Sequence, residues 1–274
     1  MKIVEVDEAR RNLVVKSNVL IQKSRYSLTA RQFDCIIYTI SQIHKGDDRY
    51  KVYTLSISDI CQTIGINPRD GGYTKIKNIF DDIDKLRVWI PVGNKEVRIK
   101  WFDVLRLDNG DGTIQISLAE DIKDYVFDLK NRFTKYTAEM CFVLENKYSK
   151  YLYEYFKSIE FKGKDIVELE YFCSHICPNN YKEFKYLKRE VIDVAIEEIN
   201  RLTDIKVSYK PSRIGSRKTT HIEFKVEKVG DEEELMNHKA ERVKALPYYP
   251  SNEQELEDAL HGEPVPEDED ELPY

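Results

Sequence analysis

The chain has 274 residues, enough for two ordinary domains, and 41% of them are hydrophobic. Its formal net charge of -6 is unevenly spread: residues 231–274 hold fifteen acidic and three basic residues, which leaves 40 basic and 34 acidic residues in the rest. No apolar run of about eighteen residues is present, and the five cysteines follow no apolar signal segment. We therefore expect a cytoplasmic protein that does not enter a membrane, with a basic body and an acidic tail.

The first part of the chain predicts a winged-helix domain over residues 14–132, after a charged and frayed arm over residues 1–13. An extended segment leads into a helix that Thr29 caps, with Gln32 at the answering position of a capping box. A short strand, a short helix and a long helix follow, the last reading YTKIKNIFDDIDKL. The strands then read VWIPV, EVRIKWFDVLRL and TIQISL, separated by turn residues.

The same order of elements recurs over residues 133–229, which predicts a second winged-helix domain. The segment LAEDIKDYVFDLKNRF is expected to form a connecting helix between the copies. The predicted fold class is therefore α+β, with two tandem winged-helix domains related by a degenerate internal repeat. Residues 230–274 are rich in acid and poor in branched apolar residues, so we expect a disordered tail.

The long helix of the second copy is the main candidate for reading DNA. Its apolar positions recur every three or four residues: Phe184, Leu187, Val191, Ala195, Ile199 and Leu202. Asn180 and Glu183 have the spacing of a capping box. The opposite face begins with Lys182, Tyr186 and Arg189, and Lys185 flanks it, so the positive charge lies on the early, exposed turns.

A basic hairpin follows this helix. Two segments in which apolar and polar residues alternate, as in β-strands, flank the sequence RIGSRKT. This places Arg213, Arg217, Lys218 and Thr219 at the tip of the hairpin. A helix with a basic outer face followed by such a hairpin is typical of a winged helix that lays the helix in the major groove and the wing on phosphates. The alternative for any single basic helix face is a merely solvated surface. From Tyr181 to Thr220, however, ten basic residues stand against six acidic ones, concentrated at both positions that would meet DNA.

The long helix of the first copy differs. Thr74, Lys75, Lys77 and Asn78 near its start could contact DNA, whereas acidic residues dominate its later turns and would repel phosphates. We therefore expect the first copy either to assist DNA binding or to contact protein.

Residues for catalysis are not evident in the sequence. The five histidines form no metal-binding pair, and Gly163-Lys164 lacks the rest of a phosphate-binding loop. Cys173, His175 and Cys177 have no second ligand pair, so packing is favoured over zinc binding. We predict that the protein is not an enzyme and needs no cofactor or metal.

Three segments in order resemble the initiator proteins of iteron-containing bacterial plasmids, the initiator Rep superfamily. They read VKSNVLIQKSRYSLTARQFDCIIYTISQI, KYSKYLYEYFKS and FKYLKREVIDVAIEEINRLTDIKVSY, and the resemblance covers residues 14–228. It implies a protein that binds direct repeats in a plasmid origin, opens the adjacent duplex and recruits host replication proteins such as an initiator and a helicase.

The resemblance also implies roles for particular residues and domains. It assigns contact with the repeat to Lys182, Lys185, Tyr186 and Arg189. The first copy would add a second DNA contact in the monomer and form the interface of a homodimer. A winged-helix transcriptional regulator that never opens DNA remains the alternative, because the two classes differ little in sequence.

Overall fold

The computed structural model describes residues 3–107, 112–178, 180–181, 183–215 and 218–246. The α-helices of these residues are α1 (Ile3–Arg11), α2 (Asn18–Gln22), α3 (Ala30–Ser41), α4 (Ile57–Thr63), α5 (Tyr73–Lys85), α6 (Glu120–Lys123), α7 (Glu139–Phe142), α8 (Lys147–Ile159), α9 (Leu169–Tyr171), α10 (Phe184–Leu187), α11 (Asp193–Leu202) and α12 (Glu232–Ala245). The strands are β1 (Leu13–Ser17), β2 (Tyr53–Ser56), β3 (Val88–Val92), β4 (Lys95–Ile99), β5 (Phe102–Leu107), β6 (Thr113–Leu118), β7 (Phe133–Thr137), β8 (Lys164–Glu168), β9 (Ile205–Ser212) and β10 (His221–Lys228).

The two copies of the internal repeat share one sheet topology. In the first copy the antiparallel order is β2-β6-β5, with Leu55 opposite Ile114. In the second copy it is β8-β10-β9, with Val167 opposite Ile222. Each sheet thus places its first strand beside its last, and a long helix precedes the closing hairpin. The predicted tandem winged-helix fold is confirmed.

The first copy carries a hairpin that the second lacks. β3 and β4 pair with each other between α5 and β5, and Arg25 bridges the outer side of β3 at Trp89. The segment that we expected to form one strand, EVRIKWFDVLRL, is divided because Trp101 is fully buried and its carbonyl accepts from Ala119 N at 2.9 Å. The chain therefore turns at this residue and continues as β5 in the three-stranded sheet of the first copy.

Helix α8 is shared by both halves. Tyr151 contacts the first half, where its hydroxyl accepts from Leu28 N at 2.9 Å. Tyr153 and Tyr155 reach the second half, where their hydroxyls donate to Asp204 at 3.0 Å and Asp165 at 2.8 Å. All three tyrosines are buried. α8 therefore supplies one continuous core that connects the two winged helices.

Two buried ion pairs fix α8 to the first half. Lys16 of β1 lies 2.7 Å from Glu154, which also accepts from the Tyr136 hydroxyl of β7. Lys150 pairs with Asp34 of α3, and both side chains are almost fully buried. Burial raises the pKa of Asp34, and the neighbouring positive charge of Lys150 opposes that rise. Removing either partner would leave an uncompensated charge in the core.

The expected frayed arm is wrong, because residues 3–11 form α1. Val6 is fully buried, and the Arg10 side chain donates to carbonyl oxygens of α4. A single buried valine is a weak signal in a charged segment, so the sequence pattern gave no indication of this docking.

The expected disorder of the acidic tail is also wrong for its first part. Residues 232–245 form α12, and His238 and Leu246 are buried. Asp231 caps the helix by accepting from Glu234 N at 3.1 Å, and the acids of the first turn complement the helix dipole. Residues 247–274 lie outside the described residues.

The expected connecting helix is replaced by shorter elements. α6 spans four residues, and the chain then turns into β7, which pairs antiparallel with β1. Positive φ angles at Asp128 and Arg132 mark this turn. Because β7 and α8 both contact the first half, the two halves share structure across the predicted boundary between residues 132 and 133. That boundary stays a prediction.

Candidate nucleic-acid interface

The candidate reading helix of the second copy runs without a break over residues 184–202. α10 passes through a π-type turn at Lys188–Ile192 into α11. Leu187, Val191 and Ala195 face the core, as the spacing predicted, and so do Ile199 and Leu202. This burial fixes which side of the helix remains for solvent.

The predicted capping box at the start of this helix is wrong. The helix begins at Phe184, and the preceding residue Glu183 has extended backbone angles with no side-chain hydrogen bond to the first turn. Asn180 therefore lies outside the first turn. The capping pattern failed because Glu183, which the pattern placed in the first turn, still has extended backbone angles.

The outer face carries three of the four predicted reading residues within the described chain. Lys185, Tyr186 and Arg189 are all exposed. Arg189 stacks its guanidinium 5.6 Å from the Tyr186 ring centroid and donates from Nε to Glu190 at 2.6 Å. Lys182 lies outside the described residues. Arg189 thus has a preset orientation and a counter-ion that DNA would have to replace.

Lys188 is a further exposed basic residue of this helix and was not among the predicted site residues. Its ammonium lies 2.6 Å from Asp193 and 5.8 Å from the Tyr209 ring centroid on β9. Hydrogen bonds to Asp193 and Tyr209 raise the pKa of Lys188. The basic residues around Lys188 in the sequence could have indicated it as a candidate. The contact of Lys188 with Tyr209 on β9, however, depends on tertiary packing and could not be predicted. The contact holds the reading helix against the strand that leads to the wing.

The wing joins β9 to β10 and is exposed near its tip. Arg213, Ile214 and Lys218 are exposed, Thr219 is half-buried, and Gly215 adopts a φ of 66° that other residues avoid. The Thr220 hydroxyl accepts from Ile214 N at 3.1 Å, which closes the loop at its base. Arg217 lies outside the described residues.

The corresponding helix of the first copy, α5, presents a mixed surface. Thr74, Lys75 and Asn78 are exposed, and Lys77 is half-buried. Further along, Lys85 pairs with Asp81 at 2.6 Å and with Asp82 at 3.0 Å. The positive charge of the later turns is therefore neutralised, as the sequence pattern indicated.

Two kinds of feature, a candidate metal cluster and a membrane-spanning helix, are absent from the described residues. Its residues contain no cluster of three or more His, Cys, Asp or Glu side chains suited to a metal ion. Burial raises the pKa of the Cys177 thiol well above its usual range, as expected for a packed side chain. None of the helices described here combines the length and hydrophobicity needed to span a bilayer.

Comparisons with known proteins agree with this arrangement. Residues 13–157 match the family model "Initiator Replication protein, WH1", and residues 168–226 match "Initiator Rep protein, WH2". A "Replication initiation protein" of Escherichia coli is 24% identical over 209 residues, a match that covers 71% of this chain and 64% of that protein. The chain thus spans slightly less than two thirds of that relative's length.

A solved structure has the same fold. The Pi initiator protein in complex with iteron DNA superposes with a TM-score of 0.65 at 18% identity, covering 81% of this chain and 99% of the other. At this identity the likeness establishes the fold. The family models place the first winged helix before α9 and the second around the reading helix and wing.

Proposed function

Because the chain belongs to the initiator replication protein family and has both of its winged-helix domains, we propose that it starts replication by binding direct repeats in duplex DNA. The observation that carries this proposal is the exposed basic face of residues 185–189 beside an exposed wing. A helix of this kind fits the major groove, and a wing reaches the flanking phosphates. The crystallised complex of the Pi initiator with iteron DNA supports the choice of ligand.

The residues of the second copy divide into two roles. Arg189 can bond the edge of a guanine with two parallel hydrogen bonds once it leaves Glu190, so we assign it to base reading. Lys185, Arg213 and Lys218 are assigned to phosphates, with Lys182, Arg217 and Thr219 as further candidates. Tyr186 supports Arg189 through the stacked contact. In the first copy, Thr74, Lys75, Lys77 and Asn78 would give an auxiliary contact.

The later steps are opening of the adjacent duplex and recruitment of host replication proteins. We assign the chain no catalytic step, so the free energy for opening would come from binding and from DNA supercoiling. The second candidate function is a regulator that binds without opening. The two candidates share the DNA-reading geometry, and strand opening separates them.

The test is a permanganate footprint on a supercoiled plasmid that carries the repeats. We expect reactive thymines beside the repeats with the wild-type protein, and none with Arg189→Ala at a protein concentration at which this weaker-binding variant leaves the repeats unprotected. Full protection of the repeats without reactive thymines, with and without host proteins, would favour the regulator.

We further propose that the chain forms a homodimer through its first copy. Support comes from the additional hairpin, on which Trp89, Val92 and Val97 are exposed apolar side chains. Two-fold pairing is the commonest closed arrangement of identical subunits. A first copy that is engaged in a dimer cannot also lie on the same DNA, so the dimer should prefer inverted sites and favour repression.

Analytical ultracentrifugation with a single direct repeat and with an inverted pair tests the dimer. We expect monomers on the direct repeat and dimers on the inverted pair. Equal capture of dimers by both DNAs would refute the switch while leaving the binding proposal intact.

A further inference from the structure

The two terminal helices, α1 and α12, lie outside the segments that match the family models. Both helices nevertheless reach α7: α1, which carries the buried Arg10, packs against it, and α12 places the largely buried Arg242 3.5 Å from the carboxylate of Glu139 on α7. The arrangement connects α1 to α12 across the two winged helices: hydrogen bonds fix each arginine to one winged helix, and an ion pair joins Arg242 to Glu139.

On the first side, Arg10 anchors α1 to α4. Its Nε donates to the carbonyl oxygen of Thr63 at 3.0 Å, and its Nη2 donates to that of Gln62 at 2.9 Å. Both carbonyls belong to the last turn of α4, at the negative end of the helix dipole, where a cation is favourable. α4 packs in turn on the long helix α5. Arg10 therefore holds the helix pair of the first winged helix.

On the second side, Arg242 and His238 anchor α12 to the end of the reading helix. Arg242 Nη1 donates to the carbonyl oxygen of Leu202 at 3.2 Å. His238 Nδ1 lies 2.9 Å from the carbonyl oxygen of Thr203, and this nitrogen carries the proton because a carbonyl only accepts. Both side chains are largely buried. α12 therefore holds the reading helix of the second copy by its C-terminal end.

Glu139 connects the two sides. Its carboxylate lies 3.5 Å from Arg242 Nε. On the other side, α1 packs against α7, which brings Arg10 to the same element; the negative charges of Asp7 and Glu139 oppose the lowering of the Arg10 pKa by burial. α7 itself is fixed, because Met140, Cys141 and Phe142 are buried directly before α8. Glu139 is thus a shared counter-charge on a rigid element.

We propose that Arg10, Glu139 and Arg242 are positioning residues that set the angle between the two winged helices and thereby the spacing of DNA contacts that the protein accepts. The consequence for DNA rests on the proposed function. Each inserted base pair rotates the second contact by about 35° and shifts it by about 3.4 Å, so a rigid pair of readers accepts one spacing. A pair of winged helices with a less fixed angle would accept several spacings.

The first experiment measures the angle in the protein without DNA. Spin labels at Asp82→Cys on α5 and Glu197→Cys on α11 occupy exposed positions of the two long helices, in a Cys173→Ser background that leaves only buried cysteines. Double electron–electron resonance should give a narrow distance distribution for the otherwise wild-type chain. Glu139→Gln, which keeps the shape and removes the shared charge, should broaden it.

Two further variants complete this measurement. Arg242→Gln should broaden the distribution as Glu139→Gln does. Lys244→Gln is the matched control, because Lys244 is exposed on α12 and pairs with Glu241 on the same helix at 2.8 Å. It should leave the distribution unchanged. An equal width for wild type, Glu139→Gln and Arg242→Gln would overturn the proposal.

The second experiment measures spacing on DNA. Duplexes selected by the wild-type chain from a random library are footprinted, and two base pairs are then inserted between the protected regions. The wild type should lose about tenfold or more in affinity, comparable to the loss of one good base contact. Glu139→Gln should lose less than about threefold on the same insertion, while Lys244→Gln behaves as wild type.

The outcomes separate this inference from the proposed function. Failure of the wild type to select any sequence would refute DNA reading, and the label distances would still decide whether the three residues position the domains. A lower unfolding temperature of Glu139→Gln, with unchanged distances and an unchanged spacing penalty, would assign these residues to stability alone and overturn the proposal.

Discussion

The two winged helices share a strand order but present different surfaces. On α5 the later acidic side chains Asp81 and Asp82 bind Lys85, so that surface offers little net attraction for phosphate. In the second copy, Lys185 and Arg189 are exposed on the early turns of the helix, and Arg213 is exposed on the wing. The duplicated fold thus conserves the scaffold and varies its charge.

A second difference lies in what each copy adds to the scaffold. The first copy has the β3–β4 hairpin, where the guanidinium groups of Arg25 and Arg98 lie 5.8 and 5.7 Å from the centroid of the Trp89 ring. The second copy instead has α12 packed against its reading helix. A hairpin with exposed apolar residues suits contact with protein, whereas a helix that braces the reader suits precise contact with DNA. The comparison therefore supports different partners for the two copies.

The largest expected effect comes from breaking the helix that joins the copies. Lys150→Ala leaves the carboxylate of Asp34 buried without its main partner and should lower the free energy of unfolding by about 3 to 5 kcal/mol. The difference in the free energy of unfolding between the wild type and this variant should become smaller at acid pH. Loss of Lys150 raises the pKa of Asp34 further in the folded state. As the pH falls, the folded variant therefore binds a proton at Asp34 before the unfolded chain does, and this proton uptake stabilises the folded state.

Urea unfolding measures this effect and tests whether the copies unfold together. Both tryptophans, Trp89 and Trp101, lie in the first copy, so their fluorescence reports on it alone, whereas far-ultraviolet circular dichroism reports on the whole chain. Coincident transitions are expected, as for one cooperative unit. Lys147→Ala, a half-buried cation on the same helix, is the control and should change stability by less than about 1 kcal/mol. Separate transitions would show that α8 does not couple the copies.

The next effect compares the two readers directly. Arg189→Ala should weaken binding to the preferred site by about 1 to 3 kcal/mol and relax the preference at one or two base pairs. Lys75→Ala on α5 should weaken all sequences slightly and keep the preference profile. A scan of single-base variants of the site measures both. An unchanged profile for Arg189→Ala would remove this residue from base reading, and a changed profile for Lys75→Ala would make the first copy a reader too.

The sequence predicted those parts of the fold that depend on local signals. VWIPV and TIQISL became β3 and β6 with their predicted limits. The capping box at Thr29 and Gln32 is present, with both of its hydrogen bonds. Alternation of apolar residues and the chemistry of a helix start are properties of adjacent residues, which is why they could be recognised without a structure.

Other features depend on contacts between distant residues and could not be predicted. α1 and α12 are held by Arg10, His238 and Arg242, whose carbonyl partners lie about 35 to 53 positions away in the chain. Of the predicted site residues, Lys185 and Arg213 are exposed as expected, but the sequence did not show that Glu190 holds Arg189. Charge patterns identify a surface, whereas the ion pairs on it depend on side-chain packing.

The smallest expected effect concerns the wing. Lys218→Ala should weaken binding to all sequences alike and reduce the slope of log affinity against log salt by about one unit, because a phosphate contact releases counterions without reading bases. The matched control is Lys210→Ala on β9 of the same hairpin. The ammonium group of Lys210 lies 3.3 Å from Glu223 on β10, so it forms an ion pair within the sheet. The salt slope of Lys210→Ala should differ less from the wild-type slope. Titrations at several salt concentrations, on the preferred site and on a scrambled duplex, measure both slopes. If Lys218→Ala changed the preference between the two duplexes at constant slope, the wing would read bases, and the division of roles between helix and wing would have to be reversed.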